Sequence, residues 1–287
     1  MASTTVPPAG PAAPANLAVL PPARGKAGLG GAIASEWTKI RTVRSTYWTL
    51  IAFVIVAIGL GAAICAANAS EFGAHRHPAG ATLDATQTSL GVLILFGPLV
   101  LAVLGGMAIT AEYSTGMVRT SLTVQPRRLT VYAAKVIVLA VVALVISFVV
   151  SFVVFFLGQA LLSSTGQSAT LSDPYVMRAI IGAALYVTVA ALLAFGIGAI
   201  LRHTAGAITV SIAVLFVLQI VINFLPASWN ADIIRWLPSS SYGPLTTTVG
   251  PQSQPHLWPA WGQFGVTAGY AVVLLVVGAI LFKRRDA

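Results

Sequence analysis

The segment at residues 111–135, AEYSTGMVRTSLTVQPRRLTVYAAK, concentrates charge between two strongly apolar stretches. Its charged residues are one acid and four bases, namely Glu112, Arg119, Arg127, Arg128 and Lys135. Such side chains can pair with a partner protein, where an arginine–carboxylate contact fixes orientation as well as charge. The same charges can instead set membrane topology and contact lipid headgroups. The spacing of the residues leaves both interpretations open.

Motifs that would give the chain a reaction of its own are missing from the sequence. The phosphate-binding pattern G-x-x-x-x-G-K-[ST], the zinc pattern H-E-x-x-H and the nucleophile pattern G-x-S-x-G do not occur. No pair of carboxylates lies within an apolar stretch, which disfavours both an intramembrane enzyme and proton coupling. We therefore expect no catalytic, cofactor-binding or metal-binding residue in this chain.

The composition is that of a membrane protein. Of 287 residues, 57% are hydrophobic and 8% are charged, whereas a soluble domain averages about 25% charged residues. A single cysteine, Cys65, excludes an internal disulfide and a cysteine metal cluster. The net charge of +9 would suit nucleic acid, but the bases cluster at the ends of apolar stretches, as membrane topology requires. We therefore expect a lipid bilayer, and no nucleic acid, as partner.

Six apolar stretches are long enough to cross a bilayer, because about 20 helical residues cover a hydrocarbon core of about 30 Å. They lie at about 47–67, 90–110, 136–162, 179–201, 205–225 and 262–282. The third is the longest and must tilt or extend beyond the core. The pattern predicts an all-α integral membrane protein with one transmembrane domain at 29–287. Residues 1–28, rich in Ala and Pro, predict a disordered tail.

The distribution of Lys and Arg predicts the orientation of these helices. If the N-terminus lies inside, thirteen of the 16 bases face the cytoplasm, and Arg76, Arg178 and Arg235 lie outside. An even number of spans then leaves both termini in the cytoplasm of a multi-pass plasma-membrane protein. The segment 111–135 becomes a cytoplasmic loop.

The sequence GAIASEWTKIRTVRSTYW precedes the first apolar stretch. Ile33, Trp37 and Ile40 recur at helical spacing, and Tyr47 lies one step further along the same face. The other side carries the bases Lys39, Arg41 and Arg44. This pattern predicts an amphipathic helix in the inner membrane interface, where tryptophan suits the headgroup region and bases suit anionic lipid. The alternative is a simple basic flank of the first membrane helix.

The segment 226–261, between the last two apolar stretches, is rich in aromatic side chains that favour a membrane interface. Its tryptophans are Trp229, Trp236, Trp258 and Trp261. The run ADIIRWL within it predicts a short helix that Pro238 would stop. We expect a short helix or a re-entrant hairpin on the outer surface, and an irregular loop with aromatic anchors is the alternative.

Small residues at helical spacing predict close helix packing. They occur as GVTAG at 265–269 and as the pair Ala194 and Gly198. The pattern does not tell whether the partner helix belongs to this chain or to another. The apolar stretches also hold polar residues that bond between helices or line a path, namely Ser147, Ser151, Gln219 and Asn223.

Five features, taken in order, resemble the half-size membrane subunits of ABC-2-type ABC transporters over about residues 31–287. They are SEWTKIRTVRSTYW before the first span, AEYSTGMVRTSL after the second, QPRR at 125–128, WLPSS at 236–240 and the basic tail KRRDA. Short patterns of this kind also arise by chance. It is their order and spacing along a six-span chain that carry the resemblance.

The resemblance implies an ABC-2 exporter-like fold and a permease that is not an enzyme. Two permeases, identical or homologous, would pair, and each would dock on a cytoplasmic ATPase subunit that binds ATP and Mg²⁺ and drives export. The loop after the second span would be the coupling element. Its matching residues are Glu112, Gly116, Arg119, Pro126 and Arg127, although Met117 stands where many relatives have threonine. The cargo is unidentified, and apolar walls suit an amphipathic or lipid-like compound.

A second class of function is a membrane sensor or immunity protein that acts by protein contacts without transport. A gene for an ATPase subunit next to the gene for this chain would favour the transporter.

Overall fold

The computed structural model describes residues 28–73, 83–114, 127–248 and 257–284, and every regular element in these ranges is helical. Most of the expected disordered tail, residues 1–27, lies outside the described residues. Three of the proposed loop residues, Gly116, Arg119 and Pro126, also lie outside them.

Six helices are long and apolar enough to cross a membrane, which confirms the six predicted stretches and a multi-pass architecture. We number them spans 1 to 6: Arg44–Phe72, Ala85–Tyr113, Arg128–Thr165, Val176–Leu201, Thr204–Ile222 and Ala260–Arg284. Most are longer than predicted, because the hydropathy pattern marks the bilayer core while helical hydrogen bonds continue into polar flanks. Span 5 instead ends three residues before its predicted end.

Two of the spans contain a π-helical turn. Span 1 runs as Arg44–Ile55, a π turn at Val56–Leu60, and Gly61–Gly73. Span 5 runs as Thr204–Ile212, a π turn at Ala213–Val217, and Leu218–Ile222. These two spans lie at the periphery, with 22% of the most apolar window of each buried inside the protein. A π turn inserts one residue per turn, so it rotates the following part of the helix.

The other spans are more regular. The helix of span 2 covers Ala85–Ser114 and accommodates Pro98 in its interior. The helix of span 3 covers Arg128–Leu162 and ends in a 3₁₀ turn at Ser163–Thr165. Spans 4 and 6 are continuous α-helices.

Span 4 is the centre of the bundle, with 78% of its most apolar window buried, and it packs on spans 2, 3 and 6. Close approach to span 2 depends on small residues. A Cβ atom added to Gly105 would lie 2.0 Å from the carbonyl oxygen of Ala191. Gly198 likewise faces Ile109 and Gly106 of span 2. The partner of the predicted small-residue pair Ala194 and Gly198 is therefore span 2 of the same chain. For the other predicted motif, GVTAG, no atom of the described residues lies within 4 Å of a Cβ added to Gly265 or Gly269.

The N-terminal helix α1 covers Leu29–Thr42 and ends at Val43, whose backbone is extended, with φ −79° and ψ 116°. Span 1 begins at the next residue, so the predicted continuation of one helical face to Tyr47 is wrong. The extended backbone at Val43 separates the two helices, and α1 packs on span 3. Tyr47 instead bridges the break, since its hydroxyl donates to the carbonyl oxygen of Arg41 at 2.7 Å.

The face of α1 that contacts the bundle also differs from the predicted apolar face. Ala32 and Glu36 are buried. Ile33 and Ile40 are half-buried, and Trp37 is exposed. Trp37, which the pattern placed in the headgroup region, thus lies outside the protein core.

At the opposite end of the bundle, the segment after span 5 forms the helix α2 at Ala227–Ile234, a 3₁₀ turn at Pro238–Ser241 and the helix α3 at Tyr242–Thr246. A short helix is thus present before Pro238, but it begins four residues earlier than the run ADIIRWL predicted and ends at Ile234, so Pro238 does not stop it. The chain then turns into the bundle end, where Ser239, Ser240 and Ser241 are buried. Span 6 holds this segment, because Gln263 donates to the carbonyl oxygen of Arg235 at 2.8 Å and Thr267 donates to that of Pro238 at 2.8 Å.

Candidate functional site

Four charged side chains from three separate elements meet at the end of the bundle that carries α1. Glu36 and Lys39 lie on α1, Glu112 lies in the last turn of span 2, and Lys135 lies two turns into span 3. The spacing of three residues places Glu36 and Lys39 on the same face of α1. We call these four residues the ionic cluster.

Each acid of the ionic cluster contacts both lysines. Lys39 Nζ lies 2.7 Å from Glu36 Oε1 and 2.7 Å from Glu112 Oε1. Lys135 Nζ lies 2.8 Å from Glu36 Oε2 and 2.5 Å from Glu112 Oε1. The two acids and two bases balance in charge, so the cluster as a whole is neutral.

The ionic cluster is largely removed from solvent. The exposed fraction is 8% for Glu36, 8% for Glu112 and 4% for Lys135. The side chain of Lys39 is the most accessible, at 26%. A buried charge is tolerated only when it is paired, and losing one partner of a buried pair costs about 3–5 kcal/mol. The cluster therefore makes the positions of α1, span 2 and span 3 depend on one another.

The lysine of α1 stays charged over the physiological pH range. Burial by itself would lower the pKa of Lys39, but hydrogen bonds to Glu112 and Glu36 and the charges of both acids raise that pKa above its ordinary value of 10.5. A raised folded-state pKa means that the stabilisation is complete below the unfolded pKa and is lost as pH rises through the folded one. The contribution of Lys39 is thus complete at neutral pH.

The structure corrects two predictions about the bases. Lys39 was expected on the side of the N-terminal helix that faces lipid headgroups, but it turns inward onto Glu36 and Glu112. Lys135 was counted as a loop charge, but it is a buried residue of span 3. In both cases the charge has an internal partner, which a count of bases along the sequence does not consider.

The predicted coupling residues are placed as follows. Glu112 is buried and paired within the chain. Arg127 is exposed at the start of span 3, where its carbonyl oxygen accepts a hydrogen bond from the backbone of Thr130 at 3.0 Å. The structure does not bring these two residues together.

The end of span 2 is also fixed by aromatic contacts. The guanidinium carbon of Arg202, at the end of span 4, lies 4.9 Å from the centre of the Tyr113 ring. That ring also contacts Phe282 of span 6, with 6.5 Å between ring centres. The residue that follows Glu112 therefore links span 2 to two further spans.

A pocket of about 250 Å³ lies beside the ionic cluster, and we call it the α1 pocket. Its walls come from α1, the first turns of span 1, and spans 2 and 3. Its lining includes Lys39, Ser45, Thr46, Leu104, Ala108, Glu112, Lys135 and Leu139.

A second pocket, of about 420 Å³, lies towards the opposite end of the bundle, between spans 2 and 5 and the segment that contains α3. Apolar side chains such as Ile94, Leu95 and Phe216 line it. Its polar lining includes Gln219, predicted as a candidate polar residue of the spans, whose side-chain oxygen accepts from Ser239 Oγ at 2.9 Å. We call it the span 2–5 pocket.

The predicted aromatic anchors, Trp229, Trp236 and Trp258, are exposed at the α2 end of the bundle. The rings of Trp236 and Trp258 pack edge to face, with 6.3 Å between their centres. They lie on the two sides of segment 249–256, which is outside the described residues.

The ionic cluster was not predicted from the sequence, although two signals pointed to it. An acid and a base stand three residues apart in α1, and a lysine stands directly before the third apolar stretch. Their meeting depends on how α1 crosses the bundle, and that is a property of tertiary packing.

The chain matches a known protein family over most of its length. A family model described as "Protein of unknown function (DUF2705)" matches residues 53–287, which include Glu112, Lys135 and all of spans 2 to 6. No curated protein matches the chain at a significant level. By this match, the chain belongs to the DUF2705 family.

Proposed function

We propose that the chain is the membrane-spanning permease subunit of an ATP-driven ABC exporter of the ABC-2 type. It lies in the plasma membrane with both termini in the cytoplasm, and α1 lies in the inner interface. A separate cytoplasmic ATPase subunit binds ATP and Mg²⁺, and a second permease, identical or homologous, completes the transport unit. The ordered motifs and the six spans support this proposal.

The observation that carries the proposal is the position of the ionic cluster at the base of one loop. Glu112 and Lys135 stand on the two sides of segment 115–126, at the end of span 2 and near the start of span 3. A loop that receives force from a partner must be attached rigidly to the spans it moves. The cluster supplies that attachment and extends it to α1 through Glu36 and Lys39.

This geometry divides the proposed coupling residues into two roles. Glu112 holds the base of the loop, because its carboxylate is occupied by Lys39 and Lys135. Gly116, Arg119, Pro126 and Arg127 are proposed to make the contact with the ATPase. Arg127 is exposed, as that role requires.

The span 2–5 pocket is our candidate for the path of the cargo. It is mainly apolar and carries a few polar groups, including the amide of Gln219 and the hydroxyl of Ser239. Such a lining suits an amphipathic or lipid-like compound. The exposed apolar residues Val217, Leu218 and Val221 of span 5 provide a surface for a second permease.

Co-purification with ATPase subunits encoded next to the gene tests the proposal. We expect one of them to co-purify with the chain, and we expect its ATP hydrolysis to rise when the transported compound is added. Arg119→Ala and Arg127→Ala should reduce co-purification, whereas Arg235→Ala, at the opposite end of the bundle, should not. The proposal would be wrong if a correctly inserted chain retained no ATPase subunit from its own cells.

A further inference from the structure

The α1 pocket has one polar end and one apolar end. The polar end is formed by the ionic cluster and by Ser45 and Thr46 at the start of span 1. The apolar end is formed by the buried side chains of Leu104, Val138 and Leu139. A pocket with this division suits an amphiphile and is poorly matched to a wholly polar solute.

Hydrogen-bond donors remain available at the polar end. An ammonium group can donate three hydrogen bonds, and Lys39 and Lys135 each make two, all to Glu36 and Glu112. The hydroxyls of Ser45 and Thr46 donate to no atom of the described residues. The pocket therefore offers donors to a ligand that brings oxygen acceptors.

The charges around the pocket favour an anion. The ionic cluster itself is neutral, but the exposed bases Arg41 and Arg44 flank it on α1 and span 1. The helix of span 1 also begins here, and Val43 provides no side-chain cap for its first N–H groups. The positive end of the helix dipole adds to the charge of the arginines.

A separate apolar groove lies between span 1 and span 3. It is lined by Leu50, Ile51, Val54 and Ile55 of span 1 and by Ile146 of span 3. Ile146 lies on span 3 about two helical turns, or about 10 Å, beyond Leu139 of the α1 pocket. On span 3, the groove thus lies further from the ionic cluster than the α1 pocket does, and it offers an apolar surface to an acyl chain.

We propose that the α1 pocket and this groove bind an anionic phospholipid. The phosphodiester accepts hydrogen bonds from Lys39, Ser45 and Thr46, and an acyl chain lies along the groove towards Ile146. The lipid thereby fills the space between α1, span 1 and the ionic cluster. This binding site is independent of cargo transport and of the ATPase.

Binding of phosphatidylglycerol to the delipidated, purified full chain in detergent, measured by native mass spectrometry, tests the proposal. Phosphatidylcholine of the same chain length is the comparison lipid, because its choline cation cancels the negative charge of its phosphodiester. We expect the wild type to prefer phosphatidylglycerol at least about tenfold, because the arginines and the positive end of the span 1 helix favour a lipid with net negative charge over a zwitterion. Equal affinity for the two lipids would overturn the proposal.

Opposite effects of two neutral substitutions separate lipid binding from a purely structural role. Lys39→Gln replaces the ammonium group with a neutral amide and leaves the pocket negative, so phosphatidylglycerol should bind about tenfold more weakly. Glu36→Gln leaves the pocket positive, so the same lipid should bind more tightly, although both variants break an internal ion pair. Lys283→Gln, outside the pocket, is the charge-matched control and should bind like the wild type. A change in the same direction for both pocket variants would contradict the proposal.

Two further variants keep the ionic cluster intact. Ser45→Ala combined with Thr46→Val removes two hydroxyl donors and should weaken binding of phosphatidylglycerol, and Ala108→Phe should fill the pocket and weaken binding of both lipids. A photoactivatable phosphatidylglycerol should label residues 36–55 or 104–112. Unchanged binding by both variants, or labelling confined to other regions, would overturn the assignment.

Discussion

Glu112 and Lys135 are joined at 2.5 Å across the base of the segment that links spans 2 and 3. The pair is buried, and each partner also contacts α1, through Lys39 and Glu36 respectively. A pair in this position can transmit a displacement of the linking segment to two spans and to α1. The contribution of this pair to the stability of the chain can be measured without any partner protein.

Removing one member of the ionic cluster should be strongly destabilising. Lys135→Ala leaves two buried carboxylates with Lys39 as their remaining partner, and we expect a loss of about 3–5 kcal/mol. Arg235→Ala is the matched control, because it breaks the exposed pair with Asp232, which contributes about 0–1 kcal/mol. Unfolding in mixed micelles would measure both changes. Similar small losses in the two variants would show that the cluster is not a buried network in the membrane.

Removing both members of one pair should cost less than the sum of the single substitutions. Glu112→Gln and Lys135→Gln each leave an unbalanced charge, whereas the double variant leaves Glu36 and Lys39 as a neutral pair. We expect a coupling energy of about 1–3 kcal/mol in a double-mutant cycle, in the range measured for residues of one network. Strict additivity would mean that the two side chains do not interact.

Close packing of spans 2 and 4 should be sensitive to a single methyl group. A Cβ atom at Gly105 would lie 2.0 Å from the carbonyl oxygen of Ala191, so Gly105→Ala should destabilise the protein by about 1–3 kcal/mol through overpacking. Gly265→Ala is the control, because the space around its Cβ is open among the described residues. In thermal unfolding, the melting temperature of Gly105→Ala should be clearly lower than that of Gly265→Ala. Equal melting temperatures would contradict the packing of these two spans.

The proposed orientation predicts which positions an impermeant thiol reagent reaches in intact cells. In a Cys65→Ser background, single cysteines at positions 80 and 250 should react, and those at positions 122 and 285 should not. Cells made permeable provide the control, since all four positions should react there. Labelling at position 122 in intact cells would reverse the assignment of the linking segment to the cytoplasm.

The six long apolar helices could be predicted from the sequence, because a long apolar stretch in a bilayer must satisfy its backbone hydrogen bonds within itself, as a helix does. The positions of the helix ends were harder to predict. Hydropathy placed the start of span 1 near residue 47, but the helix begins at Arg44, after the break at Val43. The packing of α1 on span 3 is likewise a tertiary contact, which no local sequence pattern contains.

Side-chain partners were the part of the site that the sequence did not predict. The bases were assigned by the rule that positive residues flank spans on the inside, and the rule counts charges without regard to partners. Lys39 and Lys135 were counted by this rule, but they face inward onto Glu36 and Glu112. Small-residue spacing likewise predicted packing for both Gly198 and Gly265, and in the described part of the chain one is packed while the other is open.

The measurement closest to the central proposal is ATP hydrolysis by the candidate ATPase subunit reconstituted with this chain in liposomes. The chain alone should hydrolyse no ATP, and adding it to the ATPase should make hydrolysis responsive to cargo. Arg119→Ala should weaken the association at least about tenfold, because losing one partner of a desolvated interfacial charge pair costs about 2–5 kcal/mol. Lys283→Ala should leave the association unchanged. Specific hydrolysis by the purified chain, or an ATPase that responds to cargo equally well without it, would contradict the proposed function.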